Sequence, residues 1–286
     1  MRSVKSLIAA GAATLLSSAA AFAADMPIMP PPPMAYAPPP VQDFGGWYLR
    51  GDIGVTNSSA KLHDNLFDTL PAGSTLTHEG HGFTGGQSYG LGVGYQFNNW
   101  FRADITGEYR SRVSFSGTDV STFPGGSSLS DVYQGGYTSW VGLANVYADL
   151  GTWWCLTPFV GVGVGAAHIQ TTGLQDSGVA FAPGVGSFGS SSYFANGAST
   201  TNFAWAVHAG LAYKVNQNFT VELAYRYLDM GTAVHGNGQS FDGSNAGPSS
   251  FQYRDLISQD VRLGVRFALP CCDVPPPPPP LLIRKG

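Results

Sequence analysis

Six arginines and five carboxylates sit at alternating positions inside otherwise apolar stretches: Arg50, Arg102, Arg110, Arg226, Arg262 and Arg266, with Asp52, Asp104, Glu108, Glu222 and Asp260. Successive side chains of an extended chain point to opposite faces, so residues two apart, such as Arg50 and Asp52 or Glu108 and Arg110, share one face. Opposite charges gathered this way have two uses. They can pair into a salt-bridged plug within a closed interior, or line a narrow path along which ions pass as the pairs rearrange.

Other chemistry-bearing residues are sparse. Of His63, His78, His81, His168, His208 and His235, only His63 has an adjacent acid, Asp64, and adjacency in a connecting segment carries no geometry. His78 and His81 form half a metal site, but an i, i+3 pair in a flexible connection reads as solvated. His168 and His208 fall toward strand ends. No catalytic, cofactor or metal centre is assigned. The thiols are Cys155, Cys271 and Cys272.

The elements that must position these groups show as period-two alternation, repeated eight times. Trp47, Leu49, Ile53 and Val55 alternate with Arg50 and Asp52, and Leu91, Val93, Tyr95 and Phe97 with glycines. The clearest segment sets Phe101, Ala103, Ile105, Gly107 and Tyr109 against Arg102, Asp104, Thr106, Glu108 and Arg110. The fourth has Trp140, Gly142, Ala144, Val146, Ala148 and Leu150 on one face, but its other face is mixed and its orientation stays open. Val160 to Ala166, Phe203 to Tyr213, Phe219 to Tyr227 and Val261 to Phe267 complete the set. Short turns at 98–99, 151–158 and 216–218 alternate with long polar connections at 56–86, 113–136, 170–202 and 231–254.

Composition narrows the class. The 286-residue chain is 11% charged, with 38 Gly and 20 Pro, whereas soluble domains are about 25% charged. A formal net charge of −4 without a basic block excludes nucleic acid as a partner. With 43% hydrophobic and 13% aromatic residues, disorder throughout is excluded too. The basic start Met1-Arg2-Ser3-Val4-Lys5, the apolar run from Leu7 to Ala21 and the site Ala21-Phe22-Ala23 read as a secretory signal peptide, residues 1–23. No later stretch is long and apolar enough for a transmembrane helix, so an exported chain that spans a membrane must do so as a closed barrel. Residues 24–43 and 270–286 are Pro-rich and read as semi-rigid periplasmic spacers around a folded unit at 44–269.

Aromatic residues near the short turns, among them Trp47, Phe97, Trp100, Phe101, Trp153, Trp154, Tyr213, Phe219 and Phe267, suit a girdle at a membrane interface. A secreted lipocalin-like barrel is the structural rival, and it would need an apolar interior and a charged exterior. In the membrane arrangement all three thiols are periplasmic, an oxidising compartment, so Cys155 is expected to pair with Cys271 or Cys272. An eight-stranded barrel has room only for its side chains, which favours the plug over the ion path.

Gly46-Trp47-Tyr48-Leu49-Arg50-Gly51-Asp52-Ile53-Gly54 resembles the opening strand of small outer-membrane porin-family proteins. Val221-Glu222-Leu223-Ala224-Tyr225-Arg226-Tyr227-Leu228-Asp229-Met230-Gly231 resembles their seventh. The nearest group is the alphaproteobacterial surface proteins of rhizobia and brucellae, similar in fold to the OmpA transmembrane domain. The resemblance implies a barrel-assembly signal at Arg262, Gly264, Phe267 and Leu269, and hence the barrel-assembly machinery as a partner. That signal usually ends the chain, whereas seventeen residues follow Leu269 here.

The expectation is an all-β, eight-stranded antiparallel up-and-down transmembrane β-barrel with Pro-rich periplasmic termini, a monomer in the outer membrane of a Gram-negative bacterium with its long loops outside. Its expected partners are outer-membrane lipid and lipopolysaccharide, with a periplasmic partner for the Pro-rich termini. Its expected role is envelope integrity or surface interaction, without enzymatic activity. A narrow porin-like channel is the alternative, and a lipid-modifying enzyme a more distant one.

Overall fold

A strand that is apolar on alternate residues has one face to hide, and in this protein the hidden face is the polar one. The computed structural model describes residues 45–269. It contains fourteen strands in a single sheet: β1 (Gly46–Asp64), β2 (Thr75–Phe83), β3 (Gly86–Gln96), β4 (Phe101–Thr122), β5 (Ser128–Asp149), β6 (Leu156–Thr171), β7 (Leu174–Ala182), β8 (Gly186–Ala195), β9 (Ser199–Lys214), β10 (Phe219–Asp229), β11 (Ala233–Val234), β12 (Asn237–Ser240), β13 (Gly247–Pro248) and β14 (Phe251–Ala268).

Antiparallel pairing runs β1–β3–β4–β5–β6–β9–β10–β14 and returns from β14 to β1, closing a ring of eight strands. These eight contain the segments read from the alternation. On β4, Ile105 is 66% exposed while Arg102 is 0% exposed, and the same opposition holds between Leu91, Leu223 or Leu263 outside and Asp52, Glu222 or Asp260 inside. The fourth segment, β5, resolves in the same sense. Trp140, Ala144 and Val146 face out, and Val141, Leu143, Asn145 and Tyr147 face in.

The count of strands departs from the expected eight because the long connections are not loops. β1, β4, β5 and β14 continue past the ring, and β2 pairs with the far half of β4. On the other side β7 pairs with the far half of β5, β8 with β7, β12 with β8 and β13 with β12, while β11 pairs with β14. These stretches are rich in Ser, Thr, Gly and Asn. Their outer faces meet water instead of lipid and carry mostly small and polar residues, so the outward apolar set that marks a lipid-facing strand is missing while backbone pairing persists.

Two aromatic zones bracket the apolar exterior. The one at the short turns includes Trp47, Phe97, Trp100 and Trp153, as expected; the other, at the far end of the ring, includes Tyr89, Tyr109, Trp140, Phe203 and Trp205. From Phe101 to Tyr109 along β4 the chain rises about 27 Å, or about 20 Å once tilted as barrel strands are. That is close to the height of a barrel's lipid-facing band, about 25 Å.

The outward face of β10 supplies a test. Leu223 lies between Leu211 and Leu263 on neighbouring strands, midway along the band. Leu223→Arg is expected to destabilise the protein by about 2–4 kcal/mol, the cost of a charge at the bilayer midplane. Denaturant unfolding from lipid vesicles measures it, and a cost near zero would mean that this face does not contact hydrocarbon.

Candidate functional site

The inward side chains gather into two linked clusters, each with three arginines and three carboxylates. In the mid-ring cluster, Arg226 of β10 grips Glu108 of β4 with both ends of its guanidinium, at 2.8 and 2.7 Å, and reaches Asp260 of β14 at 2.6 and 2.9 Å. Arg110 bonds Asp260 at 2.9 and 3.0 Å and Glu108 at 3.0 Å. Arg262 joins Glu108 at 3.0 Å and contacts Asp52 of β1. Ser258 adds a hydroxyl to Asp260 at 2.6 Å.

The second cluster lies toward the short turns. Arg50 donates to Asp104 at 2.8 Å, and Asp104 also accepts from Tyr48 at 3.1 Å and Asn145 at 2.8 Å. Arg102 pairs with Asp149 at 3.2 Å and Glu222 at 3.4 Å, and its guanidinium lies over the rings of Tyr147 and Phe159, 4.2 and 4.7 Å from their centres. Arg266 approaches Glu222 at 3.6 Å. Arg50 and Asp52, 3.7 Å apart, link the two clusters. Such long side chains fit because small residues face them: a Cβ on Gly94 would lie 2.3 Å from the Tyr48 ring.

All eleven charged residues singled out from the alternation thus meet in one connected interior. Four further members were not counted in it: Asp149, Asn145, Tyr147 and His208. The first three follow from fixing the orientation of β5, and Asp149 brings the carboxylates to six against six arginines. His208 lies near the middle of β9, not at a strand end, buried beside Asn145 at 3.2 Å. Its inward parity on β9 was the available signal.

Beyond the charged clusters, toward the long connections, the lumen turns apolar. Val113, Phe115, Tyr133, Tyr137, Leu143 and Ile169 pack there with Leu228, Met230, Phe251, Tyr253 and Leu256. The inward positions of the strand extensions supply much of this layer, so reading the extensions as loops concealed it.

The remaining candidates fall elsewhere. His168 is half-buried and contacts Thr201 at 2.8 Å, and His63 lies 3.2 Å from Asp68. His235 is buried against the Tyr253 ring, and burial lowers its pKa to about 4. His78 and His81 are not loop residues; they sit on β2 beside Asp119. Gly264, Phe267 and Leu269 end the last strand, with the Leu269 amide on the Trp47 carbonyl at 2.8 Å. Cys155 is exposed in the turn before β6, and Cys271 and Cys272 lie outside the described residues, as do the segments 1–23, 24–43 and 270–286.

Near the extensions Asp176 is half-buried, and its pKa rises to about 7, first through burial and then through Asp131, Asp64 and Asp119. Asp131 rises to about 6 for the same reasons. A carboxyl whose folded pKa is raised binds its proton more tightly folded than unfolded. Its contribution is therefore complete below the unfolded value near 4 and is lost as pH climbs through about 7. Amide protection factors in β5 and β7, which remove the intrinsic pH dependence of exchange, are expected to fall between pH 5 and 8, and Asp176→Asn to flatten that fall. The interior predicts a second effect. Arg226→Met leaves Glu108 and Asp260 short of a buried partner and should cost about 3–5 kcal/mol in denaturant titration.

Comparison with known proteins agrees with this architecture. Residues 9–253 match the family model described as outer membrane protein beta-barrel domain. An uncharacterized protein of Brucella abortus is 31% identical over 260 residues, covering 81% of this chain and 88% of its own length. A candidate adhesin of Rickettsia prowazekii is 24% identical, covering 78% of this chain and 87% of its own. Among solved structures, Neisserial surface protein A aligns with a TM-score of 0.40 at 15% identity, over 78% of this chain and 97% of that one. The chain belongs to the outer membrane protein β-barrel family, whose setting is the outer membrane of Gram-negative bacteria.

Proposed function

We propose that this protein is a closed, non-conducting barrel that anchors a surface-interaction platform built from the strand extensions. The observation that carries the reading is the occupancy of the lumen. Twelve paired charges line the ring interior, and an apolar cluster lies across the end nearest the extensions. A hydrated ion path through that interior would require the Arg226–Glu108–Asp260 contacts to part, exposing buried charges to each other's loss. The plug therefore outranks the channel.

In this reading the short turns and both termini face the periplasm, and the extensions stand outside. They present exposed apolar side chains, Val179, Phe181, Phe188 and Phe241, on a scaffold fixed to the barrel. The Rickettsia prowazekii relative is itself named as a candidate adhesin, which supports contact with a surface as the work of this end. Phe267 and Leu269, both outward-facing at the end of the last strand, serve as the mark for the barrel-assembly machinery. A bond from Cys155 to Cys271 or Cys272 would tie the tail beneath the ring.

The test pairs two measurements on one protein. Planar bilayers containing the refolded chain should show no discrete conductance, and cells displaying it should bind host-cell or matrix-coated surfaces more than cells lacking it. Removing the β7–β8 hairpin should abolish the binding while the barrel still assembles. Discrete conductance that changes with Glu108→Gln would overturn the closed barrel, and unaltered attachment without the hairpin would overturn the platform.

A further inference from the structure

On the flank of the extensions, a sequence pair three residues apart becomes one cluster. In an unbroken strand His78 and His81 would point to opposite faces. The pairing of β2 with β4 instead shifts register between Glu79 and Gly82, and Gly80 takes a φ of +62°. The extra residue of this bulge reverses the parity. Both imidazoles then reach the same carboxylate: His78 Nδ1 lies 2.6 Å and His81 Nε2 2.7 Å from Asp119 Oδ1.

The surroundings are built to hold the rings. His81 lies across Gly117, where an added Cβ would fall 2.4 Å from its Cδ2, and its ring meets Phe115 edge-on with centres 5.6 Å apart. Asp119 is 1% exposed, and among the described residues its ion-pair partners are these two histidines. Asp131 stands directly opposite Asp119 on β5. The charges of Asp64 and Asp119 reach Asp131, and those of all three reach Asp176. Lys61, nearby, is engaged with Asp255 at 2.9 Å. The site is thus an anionic pocket whose two nearest groups are nitrogen donors.

We propose that His78, His81 and Asp119 bind one divalent transition-metal ion of the Zn²⁺ class, which pins β2 to β4. Their ligating atoms all lie within 4.8 Å of one another, a spacing that small shifts bring round a single ion with bonds of about 2.0–2.2 Å. Two imidazoles and a carboxylate select a borderline metal over Ca²⁺ or Mg²⁺, which prefer oxygen alone. Both histidines line a cleft of about 670 Å³ between β2 and the far ends of β1 and β14. Solvent entering from that cleft supplies the fourth ligand. The ion compensates the buried carboxylate and latches the one strand at this margin of the sheet that has no partner on its outer side.

The full chain decides this when it is made without a polyhistidine tag, refolded in detergent, stripped with EDTA and alkylated at its thiols. Calorimetric titration with ZnCl₂ should show one ion per folded chain, unaffected by millimolar Mg²⁺. His78→Ala and His81→Ala should each weaken binding at least about tenfold, since even losing a ligand's hydrogen-bond partner costs about 10–100-fold. Absence of stoichiometric uptake by the folded wild-type chain, or uptake undiminished in both variants, overturns the site. Should a variant fail to fold, one equivalent of Cu²⁺ on the wild-type chain answers instead. Hyperfine coupling to two nitrogens is expected, and coupling to one or none overturns it.

Discussion

Hydrocarbon offers no hydrogen-bond partner, so a chain that crosses it must satisfy every backbone N–H and C=O within its own fold. The pairing of β14 with β1, from Tyr48 with Ala268 to Asp64 with Phe251, is what meets that demand here, because it removes the last free edges of the ring. Closure then dictates the rest. With lipid outside, the apolar residues of each strand point outward, and the charged residues that alternate with them within the ring, such as Arg102, Asp104, Glu108, Glu222 and Asp260, are left facing a narrow lumen.

A lumen that narrow forces the charges to answer one another. Arginine suits the task, because its planar fork binds two carboxylate oxygens at once and its charge survives burial. Arg226 uses that fork on Glu108 and still reaches Asp260, so three strands are tied by one side chain. The even division into three cations and three anions per cluster leaves no residual charge to solvate. Arg102 goes further and rests on Tyr147 and Phe159, taking part of its compensation from ring faces rather than oxygen. The apolar layer above Arg110 and Ser258 replaces charge pairing by packing once the strands leave the ring, so the lumen changes character along its axis.

How much of this was legible in the sequence follows from the same constraint. Wherever lipid lay on one side, period-two alternation was compulsory, and β4 and β14 could be read residue by residue from Arg102 to Arg110 and from Asp260 to Phe267. Family membership was also legible, in the strand around Trp47 and the one around Arg226. β5 was harder because Val141 and Leu143 face inward beside Asn145, near the start of the apolar layer, so both faces looked alike. The extensions were missed because water on their outer face lifts the requirement for outward apolar residues, although the inner face still buries Val113, Phe115, Tyr133, Phe251 and Tyr253. The His78–His81–Asp119 cluster was hidden twice over, once by that loss of pattern and once by a bulge that reverses the face of one histidine.

The extensions also fix where the membrane must stop. The sheet above the ring is open, ending at β2 on one side and β13 on the other. Open edges carry unpaired backbone groups, which water can satisfy and hydrocarbon cannot. Register breaks lie toward this end of the ring on two strand pairs, between Arg110 and Val113 on β4 and between Ser59 and Lys61 on β1. Just below lie the outward rings of Tyr109 and Trp140, whose centres are 4.9 Å apart, and those of Trp205 and Tyr227 at 5.5 Å. Aromatic rings gather where hydrocarbon gives way to headgroups. Backbone closure, strand irregularity and aromatic placement are independent properties of the chain, and all three set one boundary. Strand below it is held by the ring and wetted by lipid. Strand above it is freer to vary on its outer face, because water there accepts polar and apolar side chains alike, while the inner face keeps its buried apolar set.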